Sequence, residues 1–108
     1  MITVAGCGRM GAPMLEALRA AGFDAQGFDV AAKEARHITD QISDLKDKTE
    51  TLITVVRDIA QTDDVLFGAQ NFAQGTALNR IIICSTLSPR YVRDLRNRIA
   101  DHITLIDA

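Results

Sequence analysis

Ile2-Thr3-Val4-Ala5-Gly6-Cys7-Gly8-Arg9-Met10-Gly11 is the stretch on which the reading of this chain turns. A short apolar strand runs into glycines spaced G-x-G-x-x-G, and helical periodicity takes over at once. Each glycine answers a different demand. Gly6 permits a tight turn off the strand. Gly8 lets backbone approach a pyrophosphate with no Cβ between them, and Gly11 lets the helix pack close to the sheet. A diphosphate there would rest on free N–H groups at the positive end of the helix dipole. The bland alternative is a glycine turn that merely joins strand to helix. Placement between a strand and a helix is what lifts this spacing above chance.

Working outward, the helix is expected from about Met10 to Ala21, with Met10, Met14, Leu15, Leu18 and Ala21 on one face. Pro13 falls in its first turn and Gly22 stops it. A second strand is expected over Asp24 to Asp29, a short helix over Ala31 to Arg36, and a short third strand over His37 to Thr39. Thr39 or Asp40 could cap a short helix from Gln41 to Lys46. The fourth strand, Thr51 to Val56, is apolar apart from its threonines, as suits a strand covered on both faces. Thr62 is expected to cap the next helix, with Asp63 and Asp64 in its first turn and Gly68 at its end. Arg80 to Ser85 reads as the fifth strand. Ser88 then caps, and Pro89 opens, a helix whose buried side is Val92, Leu95 and Ile99 and whose arginines face water. His102 to Ile106 reads as the sixth strand. Strands alternating with helices predict parallel βαβ units, hence an α/β fold: a doubly wound (Rossmann) parallel sheet with helices on both faces and strand order 3-2-1-4-5-6.

Composition narrows the function. The chain has 108 residues, enough for one domain with a core, and 47% of them are hydrophobic, which excludes a disordered chain. A net charge of -2 with scattered cations gives no stripe for a nucleic-acid backbone. No apolar run approaches the roughly 18 residues of a membrane span. The N-terminus enters structure directly, without a secretion signal, and Cys7 and Cys84 lack metal-type spacing. The expectation is a cytoplasmic protein with reduced thiols and no metal.

Three further places could carry chemistry. Asp29 closes the second strand, 18 residues after Gly11. A carboxylate there can accept hydrogen bonds from the adenosine ribose hydroxyls and repel the extra phosphate of NADP, so NAD is the expected cofactor. It can also cap the turn that follows. Ser85 and Thr86 lie at the carboxyl end of the fifth strand, where hydroxyls could meet the nicotinamide, while Ser88 is sufficiently explained as a helix cap. Cys7 could have a lowered pKa near a helix N-terminus, or simply fill space under the loop. Isolated His37 and His102 read as structural or surface residues, and Lys33 and Arg36 could soften discrimination against NADP.

Gly6-Cys7-Gly8-Arg9-Met10-Gly11-Ala12-Pro13-Met14 resembles the G-x-G-x-M-G-x-P-M opening of the β-hydroxyacid dehydrogenases, which include 3-hydroxyisobutyrate dehydrogenase and tartronate semialdehyde reductase and, more distantly, 6-phosphogluconate dehydrogenase. Ser85-Thr86-Leu87-Ser88-Pro89, followed by Arg93 and Leu95, is similar to that family's S-T-I-S-P stretch and R-x-L. Leu52-Ile53-Thr54-Val55-Val56 stands where the family has an I-I-T-M-L strand. Leu105-Ile106-Asp107-Ala108 resembles the start of its L-D-A-P-V-S-G-G motif. The resemblance implies cofactor contacts from the glycine loop (Gly6, Cys7, Gly8, Arg9, Met10, Gly11), Asp29, Val55, Val56 and Thr86. It implies a hydride transfer between NAD and a small β-hydroxyacid or its semialdehyde. It also implies that the substrate-binding serine and glycines come just after Ala108, and that the catalytic lysine and much of an oligomer interface belong to a helical domain further on, so no residue here is expected to be catalytic. Residues 1–108 are accordingly expected to be the NAD-binding domain of a larger enzyme.

The chain departs from the family at Arg57, where a proline is usual, in a shorter segment from Val30 to Glu50, and at Ile83, where an aspartate is customary. Arg57 is expected to be solvated. A reading from another class is a non-catalytic nucleotide-sensing module, like the regulatory domains of potassium transport systems, which share a G-x-G-R-x-G loop and an acidic residue after the second strand. Ser85 to Pro89 tells against it.

Overall fold

Four-residue strands dominate the architecture, and the first two end where Gly6 and Asp29 follow them. The computed structural model describes all of the chain except residues 32–36. In chain order the elements are β1 (Ile2–Ala5), α1 (Gly11–Ala20), β2 (Ala25–Phe28), β3 (Ile38–Thr39), β4 (Thr51–Thr54), α2 (Ile59–Leu66), β5 (Arg80–Ile83), α3 (Pro89–Arg98) and β6 (Thr104–Asp107). Single 3-10 turns lie at Ile42–Asp44 and Phe72–Gln74. The strands form one sheet in the order β3-β2-β1-β4-β5-β6, with every pairing parallel. This is the doubly wound sheet that the alternation of strands and helices predicts.

Parallel strands need cover on both faces. On one face Leu15 of α1 packs with Val4 and Ala25. On the other, Val65 and Leu66 of α2 and Leu95 of α3 pack with Phe28, Leu52, Ile81 and Ile83. Phe72 fills the second core edge-on to Phe28, with ring centroids 5.6 Å apart. Two buried hydroxyls pair across the fold: those of Thr3 and Thr49 meet at 2.6 Å, and Thr49 also donates to the Leu45 carbonyl, whereas the buried Thr54 hydroxyl in β4 has no partner among the described residues. No helix among the described residues is long and apolar enough to cross a membrane.

Several boundaries differ from the sequence expectation. The helix expected to be capped by Thr62, and so to begin at Asp63, begins four residues earlier, at Ile59. Asp58, in extended backbone, takes the cap: its Oδ1 accepts from the Gln61 amide at 2.9 Å. Thr62 is instead fully buried inside the helix and donates to the Asp58 carbonyl at 2.8 Å. Asp63 and Asp64 therefore sit mid-helix rather than in the first turn. The helix expected over Gln41 to Lys46 is a 3-10 turn with no side-chain cap on its axis; Thr39 Oγ1 accepts from the Gln41 amide and forms a local turn instead. The last strand starts at Thr104, because the Ile103 amide still belongs to the preceding turn, donating to the Ala100 carbonyl at 3.0 Å. The helix expected over Ala31 to Arg36 falls almost wholly outside the described residues, as do Lys33 and Arg36. By contrast, Ser88 caps α3 as expected, accepting from the Tyr91 amide at 3.1 Å, with Pro89 opening the helix.

Candidate functional site

The strand order reverses between β1 and β4, so the loops leaving them diverge and open a cleft at the carboxyl edge of the sheet. Gly6 turns the chain off β1 with a φ of 95°, a conformation that side chains disfavour. An added Cβ there would lie 2.7 Å from the Val55 carbonyl oxygen, so the loop also needs the space. At Gly11 a Cβ would overlap the Gly6 carbonyl, its carbon only 2.8 Å away, and this brings α1 onto the loop. Gly8 is the reverse case: it is exposed, and a Cβ there would have no neighbour within 4 Å. The first and third glycines are thus closed by protein and the second faces open space, which fits a pyrophosphate lying over Gly8. Among the described residues, the backbone amides of residues 8–10 donate to no partner. They are available to an anion at the start of α1.

Cys7 and Asp29 are joined. The Cys7 amide donates to Asp29 Oδ2 at 2.9 Å, and the Ala31 amide donates to Asp29 Oδ1 at 2.9 Å. The thiol lies beneath the loop, with Sγ 3.4 Å from the Val4 carbonyl and 3.7 Å from that of Phe28. Gly27 makes the slot: a Cβ there would come within 2.7 Å of that sulfur. Burial pushes the Cys7 thiol up to about 11, the Asp29 charge adds to this, and the hydrogen bond to Phe28 opposes it. The lowered pKa considered from the helix N-terminus is therefore overturned: desolvation outweighs the dipole, and Cys7 fills space under the loop.

The cleft has a volume of about 410 Å³. Its walls are Gly6 and Gly8, Asp29 and Val30 after β2, and Val55 and Val56 after β4. Arg57, Gln61 and Gln70 extend it along α2. Five of the residues singled out from sequence thus share one cleft: Gly6, Gly8, Asp29, Val55 and Val56. Arg9 and Met10 are exposed on the turn into α1, and Gly11 is buried behind it. Thr86 is exposed at the end of β5 and does not line the cleft, whereas the neighbouring Ser85 hydroxyl donates to the Val56 carbonyl. Arg57 is exposed as expected, yet it also forms part of the cleft wall.

A family model for the NAD binding domain of 6-phosphogluconate dehydrogenase matches residues 1–108. The chain belongs to this family. Its class as a nucleotide-binding domain and its nicotinamide dinucleotide cofactor follow from that. L-threonate dehydrogenase from Cupriavidus necator is 28% identical over 116 aligned residues, which take in 99% of this chain and 39% of that enzyme. The chain therefore spans about two fifths of the length of that relative. Among solved structures, 3-hydroxyisobutyrate dehydrogenase from Salmonella typhimurium superposes with a TM-score of 0.82 at 17% identity, over 96% of this chain and 39% of its own. An imine reductase from Myxococcus stipitatus in complex with NADP+ gives 0.80 at 19% identity, over 97% and 39%. A variant of that reductase in complex with NAD+ gives 0.79 at 21%, over 97% and 38%. At these identities the solved structures share the fold of this domain.

Sequence reading missed Gly27, Val30, Gln61 and Gln70. Gly27 carries no local mark, since its reason is a sulfur contributed from another loop. Gln61 could have been found from Asp58: an aspartate three residues before a glutamine is the pattern of a reciprocal helix cap. Here Gln61 Oε1 accepts from the Arg57 amide at 2.7 Å while its own amide donates to Asp58.

Proposed function

We propose that this domain binds NAD in preference to NADP, and that it serves an enzyme moving a hydride between NAD and a small β-hydroxyacid or its semialdehyde. The observation that carries the cofactor reading is the Asp29 carboxylate, held on the wall of the same cleft as Gly8. The diphosphate rests on the free amides after Gly8, the adenosine ribose meets Asp29, and the base enters the slot between Val30 and Arg57. Thr86, at the far end of the edge, meets the nicotinamide side. A fixed carboxylate beside the ribose opposes a second phosphate by like charge. The cofactor supplies the redox chemistry, and these residues bind and orient it. The substrate class rests on the motif resemblance and on the L-threonate dehydrogenase relative. Groups that hold the hydroxyacid and move its proton lie outside these 108 residues, in a further, oligomer-forming part of the enzyme, and the setting is cytoplasmic. Titration calorimetry with both dinucleotides tests the cofactor choice. NAD is expected to bind at least tenfold more tightly, about 1.4 kcal/mol. Equal or tighter binding of NADP would show that Asp29 does not read the ribose.

A further inference from the structure

The Asp29 carboxylate is engaged before any ligand arrives, and its two partners belong to two different loops, those after β1 and β2. Oδ2 holds the Cys7 amide of the glycine loop, and Oδ1 holds the Ala31 amide of the turn after β2, each at 2.9 Å. We propose that Asp29 is a positioning residue for the glycine loop: it sets the loop's free amides in their anion-binding arrangement, apart from any contact with a ribose. This inference rests on the dinucleotide reading of the cleft.

The loop up to Cys7 has no slack. The Gly6 amide donates to the Phe28 carbonyl at 2.9 Å, the Cys7 amide donates to Asp29, and the Cys7 sulfur is wedged into the slot at Gly27. Beyond this point the amides of residues 8–10 have no partner among the described residues, and their direction follows from what precedes them. A carboxylate accepting backbone N–H groups makes a charge-assisted bond, about twice as strong as a neutral one. A loop already fixed this way spares the ligand the cost of ordering it. The negative charge of Asp29 itself opposes a nearby diphosphate. Brace and charge therefore act in opposite directions, and substitution can separate them.

The probe is 2′,3′-dideoxy-ADP, which keeps the diphosphate and lacks both hydroxyls that Asp29 could read. Asp29→Asn removes the charge and keeps one accepting oxygen; Asp29→Ala removes the charge and both acceptors. Calorimetry is expected to show Asp29→Ala binding the probe about tenfold more weakly than Asp29→Asn, the effect of one lost hydrogen bond. Equal affinities would overturn the proposal, as would a wild type that binds NAD but not the probe. Hydrogen exchange at the Cys7 amide gives a readout independent of ligand. It is expected to be slow in the wild type and in Asp29→Asn, and fast in Asp29→Ala. Fast exchange in the wild type overturns the brace even if Asp29→Ala fails to fold. A wild type that binds neither NAD nor the probe would instead sink the dinucleotide reading, and the exchange result would still decide the brace.

Discussion

Between β1 and β2 the carboxyl edge of the sheet is fastened through Gly6, Cys7 and Asp29, each with a bond to the neighbouring strand or its turn. At the end of β5 the Ser85 hydroxyl reaches the Val56 carbonyl, and Thr86 then stands in solvent. The first region is braced within the protein before a ligand arrives. The second presents one hydroxyl and no enclosing wall. On the proposed reading, one sheet edge carries both a nucleotide site and the start of a reaction site. Holding a dinucleotide requires geometry that a βαβ unit generates locally. Reacting with a substrate requires a second surface opposite the nicotinamide.

The largest expected effect tests that division. These 108 residues alone are expected to show no turnover of 3-hydroxyisobutyrate, glycerate or 3-hydroxypropionate with NAD. Hydride transfer needs a group to move the hydroxyl proton and a substrate held about 3–3.5 Å from the nicotinamide carbon. Steady-state assay at high protein concentration checks this. Activity that survives repurification and vanishes in Thr86→Ala would place a reacting group on the β5 side and erase the contrast.

Within the braced region, the glycines should separate by what surrounds them. Gly11→Val drives a side chain into the Gly6 carbonyl, so a loss of roughly 3–5 kcal/mol is expected from overpacking against backbone that cannot yield. Urea unfolding measures it; a loss under about 1 kcal/mol would mean that α1 can move away from the loop. Cys7 should be nearly inert. With its pKa at about 11 against an ordinary value of 9.0, its thiolate fraction at neutral pH falls by about two powers of ten. Iodoacetamide labelling followed by mass spectrometry is expected to run about a hundredfold slower at Cys7 than at a free thiol. The same shift fixes a sign for stability. The folded state holds this proton more tightly than the unfolded chain, so the contribution is complete below pH 9 and fades as pH rises toward 11. The smallest effect is at Gly8→Val, where the melting temperature should hold while NAD affinity falls about tenfold or more, near 1.4 kcal/mol. Unchanged affinity would make the loop a turn and nothing else.

What could be read from the sequence was what neighbours in the chain determine. Strand, glycine loop and helix follow one another within ten residues, and Ser88-Pro89 is a complete helix start. The strand order followed from alternation and handedness. What escaped depends on competition or on distance. Thr62 looked like a cap until Asp58, with an earlier claim on the same turn, took the role. The raised pKa of Cys7 depends on a slot made by Gly27 from an adjacent strand, and no local pattern reports it. Asp29 was legible as a turn cap, which its bond to the Ala31 amide bears out, and its bond to the Cys7 amide needed the two loops to be side by side. The arginines of α3, expected to face water, show the same limit: Arg98 stacks 4.1 Å above the Phe67 ring and pairs with Asp63 at 3.2 Å.

Arg96 holds a consequence for how the molecule comes apart. Its guanidinium donates to the carbonyls of Ile103, Ile99 and Ala100 at 2.5, 3.2 and 2.6 Å, and so ties the end of α3 to the turn that launches β6. Of the β6 side chains, only Leu105 packs against the larger core; Thr104, Ile106 and Asp107 are exposed. The strand therefore keeps its place by backbone pairing to β5 and by the fork of one arginine. As an edge strand it is expected to open before the central strands in a partial unfolding event. A lysine at position 96, with a point charge in place of a planar fork, would not rebuild that hinge.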